Sequence, residues 1–160
     1  MDWVFDDGGR AEAGFKGRTG DCACRAIAIA TEKPYKEVYD LINSYGSKER
    51  LTKKRKARGR SNARTGVWKE TFRKIMTDLG WEWVSTMKIG QGCKVHLRSE
   101  ELPMGKIVCQ TAHHYVAVID GVIHDTYDPN DTGVVLFYED GVPVVLHSDR
   151  CVYGYYVKNK

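Results

Sequence analysis

One cysteine stands where a helix is expected to begin. Cys22 follows Asp21, which is a good N-cap residue for the small apolar run after it. Free N–H groups and the helix dipole at such a position favour a thiolate, the nucleophilic form of cysteine. The alternative role for Cys22 is that of a small buried hydrophobe, and Cys24 is expected to be a packing residue. Asp21 is expected to cap the helix, with an ion pair to Lys16 or Arg25 as the alternative.

A histidine and an aspartate are expected to meet across a β-hairpin. His114 opens one predicted strand and Asp125 lies on the next, and Asp120-Gly121 between them is a strong signal for a two-residue turn. With that turn, Ile119 opposes Val122. Asp125 then lies diagonal to His114, within reach of a hydrogen bond that fixes the imidazole tautomer and supports an imidazolium. The alternative is a surface histidine beside a turn-capping aspartate.

Cysteine-dependent catalysis needs a thiolate on a helix tip, a base across a cleft and a group that orients the base. This chain has them in the order that resembles papain-like cysteine peptidases. Three segments carry the resemblance: Gly20-Asp21-Cys22-Ala23-Cys24-Arg25-Ala26, His114-Tyr115-Val116-Ala117-Val118, and Asp125-Thr126-Tyr127 in the place of the family's Asn-Ser-Trp. The combination looks most like small papain-like proteins of tailed bacteriophages, which share the Gly-Asp-Cys helix, a basic linker and an Ile-Asp-Gly-Val-Ile-His-Asp-Thr hairpin. The resemblance covers roughly residues 14–128 and returns at 151–156.

The resemblance implies a papain-like α+β fold in one domain over residues 1–160. It implies that Cys22 is the nucleophile, His114 the general base and Asp125 its orienter in a thiol protease, isopeptidase or amidase, or in a related acyl transferase. The expected substrate is a protein or peptide, and no cofactor or metal is expected. A phage-encoded protein acting in the host cytoplasm fits the same resemblance.

The chain departs from the family pattern in three places. Lys16 replaces the oxyanion-hole Gln, so Lys16, Arg18 or the backbone N–H of Cys22 is expected to hold the oxyanion. Asp128, directly before a proline, is the alternative orienter, because bacteriocin-processing relatives place their Asp there. Residues 130–150 add a hairpin that is expected to cover the cleft or to mediate assembly.

The elements that must position these residues can be read from hydrophobic spacing. Helical periodicity predicts helices at about 22–32, 34–46 and 67–79. After residue 80 the period changes to two, which predicts strands at about 81–83, 106–110, 115–119, 122–126, 134–138, 142–146 and 152–157. The Gly-rich residues 1–20 are expected to form a loop. Helices followed by strands indicate an α+β fold with helices packed on an antiparallel sheet.

The positive charge of the chain is concentrated in one segment. The net charge is +4, but residues 48–65, the basic strip, contain nine Lys or Arg and one Glu, so the remainder is negative. This uneven distribution disfavours a uniformly basic nucleic-acid-binding protein. The strip is expected to be either a solvated, mobile loop or a contact for a host protein, RNA or a nucleotide. The partner-binding candidates are Lys53, Lys54, Arg55, Lys56, Arg58 and Arg60.

The five cysteines are an odd number at irregular spacing with no CxxC pair, which predicts reduced thiols in an intracellular protein and no zinc site. No apolar run is long enough for a membrane span, and no signal peptide is expected. Three functions therefore remain open. They are a cysteine hydrolase, a papain-shaped phage anti-defence module that binds nucleic acid or a nucleotide, and a structural protein of a virion or host complex.

Overall fold

Helices dominate the first half of the chain in the computed structural model, which describes all 160 residues. They are α1 (Cys22–Thr31), α2 (Tyr35–Ser47), α3 (Lys53–Lys56) and α4 (Lys69–Asp78), and one 3-10 turn spans Ser99–Glu101. The three predicted helices are present, and α1 is buried from Ala23 to Ala30 because its small side chains allow close packing on all sides. No helix is long and apolar enough to cross a lipid bilayer.

Strands dominate the second half. The main sheet contains β1 (Trp3–Phe5), β2 (Trp81–Ser85), β3 (Lys106–Thr111), β4 (His114–Ile119), β5 (Val122–Asp125) and β8 (Gly154–Lys158), in the order β1-β5-β4-β3-β8-β2. A separate hairpin contains β6 (Asp131–Glu139) and β7 (Val142–His147). The α+β class is therefore confirmed. The main sheet is mixed rather than antiparallel, because β1, which lies in the predicted N-terminal loop, pairs in parallel with β5. Three residues are too short to give a periodic signal.

The hairpin that joins β4 and β5 has the predicted register. Asp120 and Gly121 have φ angles of 48° and 78°, the left-handed conformations that a two-residue type I′ turn requires. Ile119 therefore pairs with Val122, as predicted. This register brings the first residue of β4 and the last residue of β5 to the same end of the two strands.

Two apolar clusters cover the two faces of the main sheet. Neighbouring residues of β3 point to opposite faces, with Val108 in the larger cluster and Ile107 and Cys109 in the smaller one. The larger cluster lies under α1, α2 and α4. The smaller cluster is closed by Leu97 and Leu102 from the segment between β2 and β3. Because α1 packs mainly on β4, the N-terminus of α1 is held beside the start of that strand.

The basic strip is not the simple solvated loop that was predicted. Its residues 53–56 form the helical turn α3, and Ser61 and Ala63 are buried. Glu49 anchors the strip because its carboxylate accepts hydrogen bonds from the Ser61 N–H (2.6 Å) and from the hydroxyls of Ser61 and Thr71. Local apolar periodicity does not predict these hydrogen bonds of the partly buried Glu49 carboxylate.

The prediction of five reduced thiols is wrong for two of them. Cys93 and Cys151 form a disulfide, with Cα atoms 5.9 Å apart and a sequence separation of 58 positions. The neighbouring backbone pairing of His96 with Cys151 brings these distant segments together. Cys22, Cys24 and Cys109 are free. Spacing alone did not reveal the pair, because the contact is made by tertiary structure.

Candidate active site

Cys22 is the first residue of α1 and lies at the end of the sheet where β4 begins. Asp21 occupies the N-cap position, but its side chain makes no capping hydrogen bond, so the predicted capping role is wrong. Its carboxylate points instead to Arg25, which confirms the alternative ion pair. The backbone N–H of Cys22, the first of the helix, has no acceptor in the chain and remains free beside the thiol.

His114 and Asp125 are joined by a short buried hydrogen bond. His114 Nε2 donates to Asp125 Oδ2 at 2.6 Å, and the two side chains are 9% and 2% exposed. The other carboxylate oxygen accepts from the Thr126 N–H at 2.7 Å and from Arg25 Nη2 at 3.1 Å. Asp125 is therefore fixed on both oxygens, and the imidazole is oriented by a carboxylate that cannot rotate freely.

The ring nitrogen of His114 that Asp125 leaves free, Nδ1, is available to the thiol of Cys22. His114 also lies beside Cys22 and lowers the pKa of its thiol; because Nε2 is occupied by Asp125, Nδ1 is the ring nitrogen available to exchange a proton with Cys22. The hydroxyl of Tyr127 lies 3.4 Å from the same nitrogen, and the Tyr127 side chain is half exposed at the mouth of the site. The histidine therefore lies between the carboxylate and the thiol.

The two titrating partners favour a charged pair. Burial works against the imidazolium, but hydrogen bonds and charge from Asp125 and Cys22 outweigh it and raise the pKa of His114 to about 9. Burial also works against the thiolate, but the hydrogen bond and charge of His114 lower the pKa of Cys22 below its ordinary value. Both shifts act in the direction of a thiolate beside an imidazolium.

Arg25 connects the start of α1 to the carboxylate that orients His114. Its guanidinium contacts Asp21 on one side and Asp125 on the other, and all three residues are buried. The second oxygen of Asp21 accepts from the Tyr35 hydroxyl at 2.6 Å. This chain of contacts locks α1 to the end of β5. The i,i+4 spacing of Asp21 and Arg25 is a sequence signal for their pair, whereas the contact of Arg25 with Asp125 has none.

The N-terminal strand supports Asp125 from the other side. The carbonyl of Asp125 accepts from the Asp6 N–H at 2.9 Å and from the indole Nε1 of Trp3 at 3.2 Å. The backbone of the orienter is therefore held by β1 while its carboxylate is held by Arg25. Both supports come from segments far away in sequence.

Other predicted site residues lie apart from this cluster. Lys16 and Arg18 are exposed, and neither side chain forms a hydrogen bond or an ion pair with Cys22 or His114. Asp128 accepts from the Asn130 N–H at 2.9 Å and forms a turn, so it does not contact His114. Of the two candidate orienters, only Asp125 meets the imidazole.

The basic strip approaches the site at one point. The carbonyl of Arg64 accepts from the Gly20 N–H at 2.6 Å and from the Thr19 hydroxyl at 3.2 Å, two to three residues before Cys22. The strip therefore supports the segment that leads into the nucleophile. Its partner-binding candidates Lys53, Lys54, Arg55, Lys56, Arg58 and Arg60 lie outside the cluster around Cys22.

The other free thiols lack these features. Burial raises the pKa of Cys24 to about 12, and burial alone raises the pKa of Cys109 further. No group of three or more His, Cys, Asp or Glu side chains has a geometry that could hold a metal ion. The chain has no significant match among protein-family models, curated proteins or solved structures, so the geometry of Cys22, His114 and Asp125 carries the functional argument.

Proposed function

We propose that the protein is a papain-like cysteine hydrolase, phage-encoded as the sequence resemblance implies, that cleaves a peptide, isopeptide or other amide bond. The observation that carries the proposal is the position of the His114 ring, which hydrogen-bonds to a buried, fixed Asp125 through Nε2 and lies beside the thiol of Cys22, whose pKa it lowers. A nucleophile, a base and an orienter in contact are what acyl transfer to sulfur requires.

Each side chain has one role in the proposed reaction. The thiolate of Cys22 attacks the carbonyl carbon, and the carbonyl oxygen becomes an oxyanion. The imidazolium of His114 gives its Nδ1 proton to the leaving amine as the C–N bond breaks, which leaves a thioester. Neutral His114 then takes a proton from water, which attacks the thioester, releases the acid and restores the thiolate. An amine in place of this water would make the same site an acyl transferase.

The oxyanion is assigned to the start of α1. The free backbone N–H of Cys22 lies next to the sulfur, and the positive end of the helix dipole adds to its field. Lys16 and Arg18 are exposed and make no contact with the triad, so the backbone donor is preferred to either side chain. Its geometry stays fixed because α1 is buried along most of its length.

The proposal is tested by Cys22-dependent cleavage. A peptide library from a bacterial proteome is incubated with the protein and with Cys22→Ala, and new termini are identified by mass spectrometry. Cleavage or a trapped thioester that is lost in Cys22→Ala, and kept in the Asp128→Asn control, supports the hydrolase. A peptide epoxide or vinyl sulfone provides a second readout. If neither library cleavage nor covalent labelling depends on Cys22, the proposal is wrong.

The second candidate function is binding of RNA or a nucleotide by the basic strip. The observation that favours it is the turn α3, which presents consecutive cations at the surface, of which Lys53, Lys54 and Lys56 form no ion pair. The affinity for single-stranded RNA, measured by fluorescence anisotropy, would then fall steeply as the salt concentration rises. Binding would be lost in the variant in which Lys53, Lys54 and Lys56 are all replaced by Gln. Lys36→Gln on α2 is the matched control, because Lys36 is exposed but paired with Asp40. Binding that survives Cys22→Ala would separate this function from hydrolysis.

A further inference from the structure

The hairpin of β6 and β7, called the arm below, projects from a rigid base. Asn130 is fully buried at that base, where its amide donates to the Leu97 carbonyl at 3.0 Å and accepts from the Arg150 N–H at 2.9 Å. The guanidinium of Arg150 donates to the Pro129 carbonyl at 2.6 Å. The arm is therefore a fixed extension of the body that begins six residues after Asp125.

Apolar side chains cover both faces of the arm without a partner. Every residue of β6 is exposed, although positions 134–138 are five consecutive large apolar residues. Neither of the two core clusters includes a residue of the arm. The exposed side chains are Val134 (52%), Val135 (43%), Leu136 (56%), Phe137 (55%), Tyr138 (68%), Val142 (62%) and Leu146 (40%).

The apolar area of the arm is close to what a protein interface needs. Seven such side chains expose roughly 700 Å² together, divided between the two faces of the hairpin. A standard protein interface buries about 800 Å² on each partner. A two-stranded hairpin is also only marginally stable by itself in water, so the arm needs a covering surface. One side of a complete interface is therefore already present on this chain.

The apolar surface of the arm is suited to contact with a second copy of the chain. Residues 132–138 and 142–146 contain no charged side chain, so two arms can be packed face to face without burying an unpaired charge. A flat partner would cover one face of the arm, whereas a second copy can cover one face with its arm and the other with its body. Register shifts near Val135 and Phe137 bend β6 and disfavour pairing along its edge. The faces of the arm, rather than its edge, are therefore available for contact.

We propose that the protein is a two-fold symmetric dimer in which the arms of two copies pack against each other. This inference does not depend on the proposed hydrolase activity, because it rests on the arm alone. A closed two-fold contact uses the same apolar surface on both copies, with one face of each arm against the arm of the other copy and the opposite face against its body.

The test is the mass of the purified chain in solution. Light scattering after size-exclusion chromatography at about 100 µM is expected to give twice the 18.1 kDa of one chain, because interfaces of this size have dissociation constants of micromolar or below. The double substitution Leu136→Asp/Phe137→Asp places a carboxylate on the packed surface and is expected to weaken association on the order of 100-fold or more. The matched control is Ile89→Asp/Met104→Asp, since both residues are apolar and exposed but lie outside the arm.

A second variant distinguishes loss of association from loss of the folded structure. Asp131 and His147 are paired across the base, so residues 132–146 can be replaced by a short Gly-Gly turn while the buried Asn130 is kept. This variant is expected to be a folded monomer with the near-ultraviolet circular dichroism of an intact core. A monomeric unmodified chain would overturn the inference, as would a dimer that survives both arm variants. Open-ended assembly into larger species would overturn the two-fold arrangement.

Discussion

Replacing Asp125 by asparagine tests whether its carboxylate controls the charge of the pair formed by His114 and Cys22. Asparagine keeps the size of the side chain and leaves Arg25 paired with Asp21. It removes the negative charge that lies 2.6 Å from His114 Nε2. The imidazole keeps a hydrogen-bond neighbour of the same shape, so any change in reactivity reports the lost charge rather than a lost position.

The expected magnitude follows from the two pKa values. With a pKa of about 9, His114 is almost wholly imidazolium at pH 7; without Asp125 only Cys22 still opposes the effect of burial, so the pKa falls toward the ordinary value of 6.5, at which about a quarter is protonated. Cys22 then loses most of its cationic partner. A thiol at its ordinary pKa of 9.0 is only about 1% ionised at pH 7. We therefore expect the rate of thiolate alkylation to fall on the order of 10- to 100-fold.

Iodoacetamide labelling followed by intact-mass spectrometry measures this rate at one site. Cys24 and Cys109 are buried thiols with raised pKa values, and Cys93 and Cys151 are joined in a disulfide, so rapid labelling adds one group, at Cys22. Asp128→Asn is the control, because Asp128 does not contact the histidine. Equal labelling rates in Asp125→Asn and the unmodified protein would refute the role of the Asp125 carboxylate. A slower rate in Asp128→Asn would refute the choice of Asp125 over Asp128 as the group that orients His114.

Three further predictions concern stability and titration. Arg25→Leu removes the cation that the buried carboxylates of Asp21 and Asp125 share, so chemical denaturation should show a loss of about 3–5 kcal/mol in the free energy of unfolding, against about 0.5 kcal/mol or less for the exposed control Arg18→Leu. Gly46→Ala would place a Cβ atom 2.0 Å from the carbonyl oxygen of Ser61, so its melting temperature should fall; an unchanged value contradicts this contact. An NMR titration should give the imidazole of His114 a pKa of about 9, and a value near 6.5 would contradict its contacts. Because this pKa is raised in the folded state, the stabilisation from the imidazolium is complete below about pH 6.5 and is lost as the pH rises through about 9.

The local features of the site could be predicted from sequence because they depend on neighbours along the chain. The left-handed turn at Asp120-Gly121 fixes the register between β4 and β5, and that register decides that His114 and Asp125 meet. The start of α1 at Cys22 follows equally from the residues around it. The i,i+4 spacing of Asp21 and Arg25 was also available, because helix geometry brings such pairs together.

The support around the triad was decided only by tertiary structure. Arg25 contacts Asp125 across 100 residues of sequence, and β1 holds the same aspartate from the opposite end of the chain. The disulfide of Cys93 with Cys151 and the position of the arm likewise depend on segments that meet only after the sheet has formed. Such contacts leave no periodic signal, since a buried charge is matched to whichever partner the packed backbone places within its reach. The sequence alone determined which residues could do chemistry, and the packing of distant segments decided what holds them in place.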